Sequence, residues 1–302
     1  MQFKEYQWHP GVYYYPGEEA LPGVILSCGI HGNETGPIHT IEHLQLHLRQ
    51  SQRPPHCPLL IIYGNTEAIA SNKRFIRHNM NRLFNLPHDE AWASEPEYLR
   101  AKQLENSCRQ FASYCLGGCL HLDLHSTIKP SRHSCFALQP VSCEHHSALW
   151  NPFIINAHIQ AWIKQTSVSN TFSQFSCEVL SIPSITLESG QVGGGNNPVL
   201  YQALLKLIFA DETNNTSAAE LTPNTLTPNI PHYRAAHDIT RTEDFYFLID
   251  EQLPNFSEIS PGTPIFESQG QPHCFNQTLY PLFLNSNVPV GHRAGLLLIR
   301  EQ

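Results

Sequence analysis

Through its first two thirds the chain alternates short apolar runs with longer stretches of helical period. Val24 to Ile30, Leu59 to Tyr63, Cys119 to His125, Cys135 to Leu138 and Ser184 to Leu187 are largely apolar at consecutive positions, as in strands buried on both faces. Between them, Pro37 to Arg49 sets Ile38, Ile41, Leu44 and Leu48 along one side of a helix, and Glu95 to Cys115 is a second helix candidate. Strands joined by helices predict an α/β layer fold, with a mixed, largely parallel sheet and helices on both faces.

After about Asp211 the pattern breaks. The stretch DETNNTSAAELTPNTLTPNIPH is rich in Asn, Thr and Pro, the composition of an exposed linker. Beyond it, Ala235 to Thr240, Phe245 to Leu248, Thr278 to Leu284 and Gly295 to Ile299 are short strand candidates separated by turn clusters. The expected division is a domain over residues 1–211 and a smaller β domain over 212–302.

Composition narrows the partners. A chain of 302 residues with 41% hydrophobic and 15% charged positions can fold and bury a large core. Its formal net charge of -8 argues against a nucleic-acid partner, which needs clustered Lys and Arg, and means that an anionic substrate requires a locally basic pocket. The N-terminal MQFKEYQWHPGVYYYPGEE lacks a basic stretch followed by an apolar run, and no segment approaches the ~18 apolar residues of a membrane span. Nine scattered cysteines without a CxxC pair fit free, mostly buried thiols in a reducing compartment. The expectation is a cytoplasmic protein without membrane contact.

Four motifs carry candidate chemistry. In SCGIHGNETGP an apolar strand runs into a turn bearing His31 and Glu34, at the sheet edge where α/β folds place their sites. In GGCLHLDLHSTIKPSRH the period of two puts His121, Asp123 and His125 on one face, with His125 at the strand end. His2Glu is one of the usual ligand sets of catalytic zinc, which keeps its fourth position for water. His39, His43 and His47 also share a helix face, but no carboxylate or strand end accompanies them, and they read as a solvated flank. KRFIRHNMNRLF places Lys73, Arg74, Arg77 and Arg82 within ten residues. There Arg82 and Asn81 sit among apolar neighbours, and a guanidinium fork suits a carboxylate. In ITLESGQVGGGNN, Glu188 ends a strand before a glycine-rich loop, a position open to a general base or a solvated strand end.

Taken in order, HGNET, NMNRLF, DLHSTIKPSRH and the LESG glutamate resemble the succinylglutamate desuccinylase and aspartoacylase family of zinc-carboxypeptidase-like enzymes. The resemblance covers most of the chain, and NVPVGHRAGLLL is similar to the ending of the bacterial desuccinylases. It implies one Zn2+ per chain on His31, Glu34 and His125, a substrate-carboxylate site at Asn81 and Arg82, Arg74 polarising the carbonyl, and Glu188 as the base. The implied reaction is hydrolysis of N-succinyl-L-glutamate to succinate and glutamate, as in bacterial arginine breakdown. Arg77, Lys129, Arg132 and Arg293 are the candidates for the remaining substrate carboxylates, and Asp123 for orienting an imidazole. The chain departs from the family at SGQVGGGNN, where a basic residue is common, and at Lys129, where an arginine is expected. Both bear on selectivity more than on reaction type. The alternatives are an aspartoacylase-like or broader N-acyl-amino-acid deacylase, a metallocarboxypeptidase, and a metal-binding protein without catalysis.

Overall fold

In the computed structural model, which describes residues 2–141, 143, 150–195, 197–209 and 229–301, the apolar runs become strands of one large sheet. The chain enters through β1 (Tyr6–His9) and β2 (Val12–Tyr15) and continues as β3 (Gly23–Cys28), α1 (Thr35–Ser51), β4 (Leu59–Tyr63), α2 (Thr66–Ala70), α3 (Pro96–Tyr114) and β5 (Cys119–Thr127). Next come β6 (Cys135–Gln139), α4 (Asn151–Asn156), β7 (Ala161–Lys164), α5 (Phe172–Leu180), β8 (Ser184–Gln191) and α6 (Pro198–Ile208). The C-terminal part supplies β9 (His232–Thr240), β10 (Tyr246–Phe247), β11 (Pro264–Ser268), β12 (Gln271–Cys274), β13 (Tyr280–Leu282) and β14 (Arg293–Arg300).

The sheet order is β1-β2-β4-β3-β5-β8-β6-β7-β9-β14-β13. Strands β4, β3, β5 and β8 run parallel at the centre, and β6 lies antiparallel to β8. Alternation along the central strands sends side chains to two helix layers. Val24, Leu26 and Cys28 pack with α1 and α6, whereas Ile25, Leu60 and Ile62 meet Leu104 and Phe111 of α3 and Phe172 and Phe175 of α5. Each fully buried Leu or Ile contributes about 1.5–3 kcal/mol relative to exposure. The expected helices on both faces are present, and among the described residues no helix is long and apolar enough to cross a membrane.

The C-terminal part is β-rich as expected, and it is joined to the rest more closely than a linker would suggest. β9, β14 and β13 continue the large sheet, with β9 parallel to β7, while β10, β11 and β12 form a sheet of their own. Most of the linker lies outside the described residues.

One expectation is corrected. Cys143 and Cys177 are disulfide-bonded, because the segment after β6 brings Cys143 onto α5 with a Cα–Cα separation of 6.0 Å, within bridging range. The other seven cysteines are free, and all but Cys274 are buried.

Candidate functional site

The turn between β3 and α1 carries His31 and Glu34 to the C-terminal edge of the sheet. Gly32 makes this turn possible, since a Cβ there would stand 2.1 Å from the backbone of Ala68 in α2. α1 starts directly after Glu34, whose side chain makes no capping bond. It turns instead between two imidazoles: His31 Nδ1 lies 2.7 Å from Glu34 Oε1, and His125 Nδ1 lies 2.9 Å from Glu34 Oε2. One ligand atom from each residue falls within 4.8 Å of the others, and all three residues are buried. No second such group occurs among the described residues.

The far sides of both rings settle what the near sides can do. His31 Nε2 is 3.0 Å from Asn79 Oδ1, an atom that already accepts the Asn81 backbone N–H at 3.1 Å and is therefore an acceptor. His125 Nε2 is 3.0 Å from Asp123 Oδ2. Both Nε2 atoms thus donate, so a neutral imidazole presents its Nδ1 lone pair to a Glu34 oxygen. Two acceptors at these distances need a proton or a cation between them. Without a metal, burial would lift the Glu34 pKa, but His31 and His125 outweigh it and hold the carboxyl well below its usual range. Burial likewise opposes charge on His125, and Asp123 and Glu34 override it and push the imidazole well above its usual value. His31 goes the other way, lowered chiefly by burial. A neutral His31 facing a carboxylate oxygen is the strained member of the cluster, and a divalent ion removes the conflict. The donor set fits a metal held by His31, Glu34 and His125.

Glu188 stands beside this cluster, paired in register with His125 across β5 and β8. It is buried, and its Oε2 has no hydrogen-bond partner. Burial, with a further push from Glu34, raises its pKa to about 8 against the pull of His125. Arg74 approaches from the loop after α2, its Nη1 donating to Glu34 Oε1 at 3.1 Å while its carbonyl accepts the Gly32 N–H at 3.2 Å.

A family profile described as the Succinylglutamate desuccinylase/Aspartoacylase catalytic domain matches residues 20–210, and one described as the AstE/AspA barrel-sandwich hybrid domain matches 228–301. The chain is 31% identical over 297 residues to the succinylglutamate desuccinylase of Yersinia pestis (strain Pestoides F), covering 94% of this chain and 86% of that one. It belongs to the succinylglutamate desuccinylase/aspartoacylase family. The curated succinylglutamate desuccinylase of Pseudomonas paraeruginosa is 32% identical over 285 residues, 91% of this chain and 83% of its own. Among solved structures, the Vibrio cholerae succinylglutamate desuccinylase superposes with a TM-score of 0.83 at 27% identity, over 99% of this chain and 91% of that one. Murine aminoacylase 3, at 20% identity and a TM-score of 0.63 over 94% and 97% of the two chains, shares the fold.

Within this member of the family, the basic residues divide. Asn81 is buried, and its Oδ1 accepts the Phe172 N–H at 3.0 Å at the start of α5, so it joins the loop to that helix. Arg82 keeps accessible surface while set among many neighbouring atoms; this partial burial, then the like charges of Arg293 and Arg74, draw its pKa down to about 10. Arg77 does not join the cluster, since its exposed side chain pairs with Glu95 at 3.5 Å. Lys129 donates to the Glu251 carbonyl, and Arg132 reaches Ser257 Oγ at 3.4 Å, so both tie the loop after β5 to the C-terminal part. His39 and His43 are exposed and His47 is half-buried, off the site.

Two residues of the site receive no role from the sequence. Asn79 is one. The other is Glu97 of α3, whose carboxylate accepts the backbone N–H groups of Ile76, Arg77 and His78 at 2.7, 2.9 and 2.6 Å, and Asn65 Nδ2 at 2.9 Å. Glu97 thereby shapes the loop that carries Arg74 and Asn79 into the site. Glu97→Ala leaves these donors without an acceptor and should cost stability on the order of 1–3 kcal/mol or more. Turnover should fall while metal content holds, because Glu97 touches no ligand. Denaturation curves and elemental analysis check both; unchanged turnover would remove Glu97 from the account.

Proposed function

We propose that this chain hydrolyses N-succinyl-L-glutamate to succinate and L-glutamate at one zinc ion held by His31, Glu34 and His125. The observation that carries the reading is Glu188: a buried carboxylate with an unpartnered oxygen, in register with the ligand His125, in a chain whose curated relatives are named succinylglutamate desuccinylase. Zinc in such a site lowers the pKa of water from 15.7 to ~7 and polarises a carbonyl. Glu188 takes the proton from the attacking water and returns it to the nitrogen of the leaving glutamate as the amide C–N bond breaks. Arg74, partly exposed and already beside Glu34, stabilises charge developing on the carbonyl oxygen. The division into a catalytic domain over 1–211 and a β-rich domain over 212–302 is part of this proposal.

The substrate has three carboxylates, and the cation group formed by Arg82, Arg74 and Arg293 answers that charge in a protein of net charge -8. Arg293 opens β14 and pairs with Asp238 at 3.5 Å, and on this reading it brings the C-terminal part to the substrate site. Arg82 with Asn81 grips a carboxylate of the glutamate moiety. Arg82→Lys keeps the charge and loses the fork, and should lower kcat/KM by about 1–3 kcal/mol of transition-state binding. With an analogue whose glutamate α-carboxylate is an amide, the two enzymes should be equally poor; an equal penalty on the analogue assigns Arg82 to another role. The reaction itself is tested by glutamate or aspartate release from succinylglutamate, acetylglutamate and acetylaspartate side by side. Preference for acetylaspartate would move the chain to the aspartoacylase side of its family.

A further inference from the structure

Behind the metal ligands lies a buried line of polar side chains that the proposed reaction does not use. Ser27 of β3, His121 and Asp123 of β5, and Ser176 of α5 are all fully buried. Ser27 Oγ is 2.6 Å from Asp123 Oδ1 and 2.8 Å from His121 Nε2, and His121 Nδ1 is 2.7 Å from Ser176 Oγ. Serine, histidine and aspartate together suggest a nucleophile triad, but the order is wrong. The aspartate contacts the serine and not the outer imidazole nitrogen, and no substrate reaches a fully buried hydroxyl.

The direction of every bond follows from counting hydrogens. Asp123 accepts only, so the single Ser27 hydrogen goes to Oδ1. Ser27 Oγ must then accept from His121, which puts the His121 proton on Nε2. Burial draws the His121 pKa down to about 4, so the ring is neutral and its Nδ1 accepts from Ser176. The other oxygen of Asp123 accepts from His125 Nε2 at 3.0 Å. The donors therefore run one way from Ser176 through His121 and Ser27 to Asp123, where His125 meets them from the other side.

We propose that Ser27, backed by His121 and Ser176, is a positioning residue that locks Asp123 and thereby holds His125 with its proton on Nε2 and its Nδ1 free for the metal. The inference rests on the metal reading above. α5, whose first N–H is held by Asn81, supplies Ser176, so the helix that borders the substrate loop also braces the metal ligand. Losing the Ser27 hydroxyl leaves Asp123 Oδ1 without its donor and His121 Nε2–H without its acceptor. Asp123 is then free to turn, and His125 to change tautomer.

Long-range proton–nitrogen spectra of 15N-labelled protein test this, with resonances assigned through His121→Gln and His125→Gln. In metal-free wild type, His121 should be neutral and protonated on Nε2; a proton on Nδ1 overturns the proposal without any variant. Ser27→Ala should weaken zinc binding, measured by chelator competition, by about 10–100-fold, the range for partners behind a ligand. The His125 Nε2–H signal should broaden or shift, and Ser27→Thr, which keeps the hydroxyl, should recover most of the loss. Wild-type affinity in a folded Ser27→Ala protein would overturn the proposal. If wild type itself binds no zinc, the functional reading fails, while the metal-free spectrum still decides the direction of the bonds.

Discussion

Glu188→Gln will lower kcat by about 10²–10⁴-fold, the usual worth of a general base, and leave fold and zinc content intact. The amide keeps the shape of the side chain and lacks the basic oxygen. Because Glu188 Oε2 is unpartnered, the exchange breaks no hydrogen bond at that atom, and the loss can be read as chemistry. The same residue sets the pH dependence. Burial pushes its pKa up to about 8, and a dication close by pulls it down. A base acts as the carboxylate, so kcat/KM should rise as pH climbs through this pKa and fall as Glu188 gains its proton below it. The acid limb of the profile should vanish from the residual activity of Glu188→Gln. A loss of less than about tenfold would show that another group takes the proton.

His125→Ala should lose most of its zinc and, with it, turnover. Removing a ligand must exceed the ~10–100-fold in affinity that partners behind a ligand are worth. It also strips Glu34 of one of the two imidazoles that hold its carboxylate ionised, and leaves Asp123 Oδ2 buried without its donor. Two ligands do not hold catalytic zinc against a chelator. Elemental analysis after dialysis checks the outcome. Undiminished zinc would send the assignment back to the His39, His43 and His47 face of α1.

How far these features could be read from the sequence depends on what kind of signal each one leaves. His31 and Glu34 lie in the turn after β3, and His125 and Glu188 lie toward the C-terminal ends of β5 and β8, where residue type and position together suggest chemistry. Asn79 opens the NMNRLF motif, but its role is a bond to His31 across 48 positions of chain, which no local pattern shows. Glu97 looks like any acid in the first turn of a helix, and only the folded loop shows three N–H groups converging on it. Charge alone does not show that Glu95 lies close to Arg77, a pairing at 3.5 Å that only the folded loop makes. In the fold, the central strands carried continuous apolar runs and α1 a clear helical period. β7 with four residues and α4 with six are too short to show one, and β1 and β2 are aromatic and half-wet, with tertiary pairing deciding their state.

Amide hydrolysis is expected to depend on a metal held by His31, Glu34 and His125. Glutamate release from N-succinyl-L-glutamate should be followed on purified protein as zinc is stripped by a chelator and returned stepwise. Activity should disappear with the metal, return with added zinc, and reach its plateau at one ion per chain in wild type but not in His125→Ala. Glutamate release that persists in metal-free protein, or that returns equally in His125→Ala, would contradict this dependence.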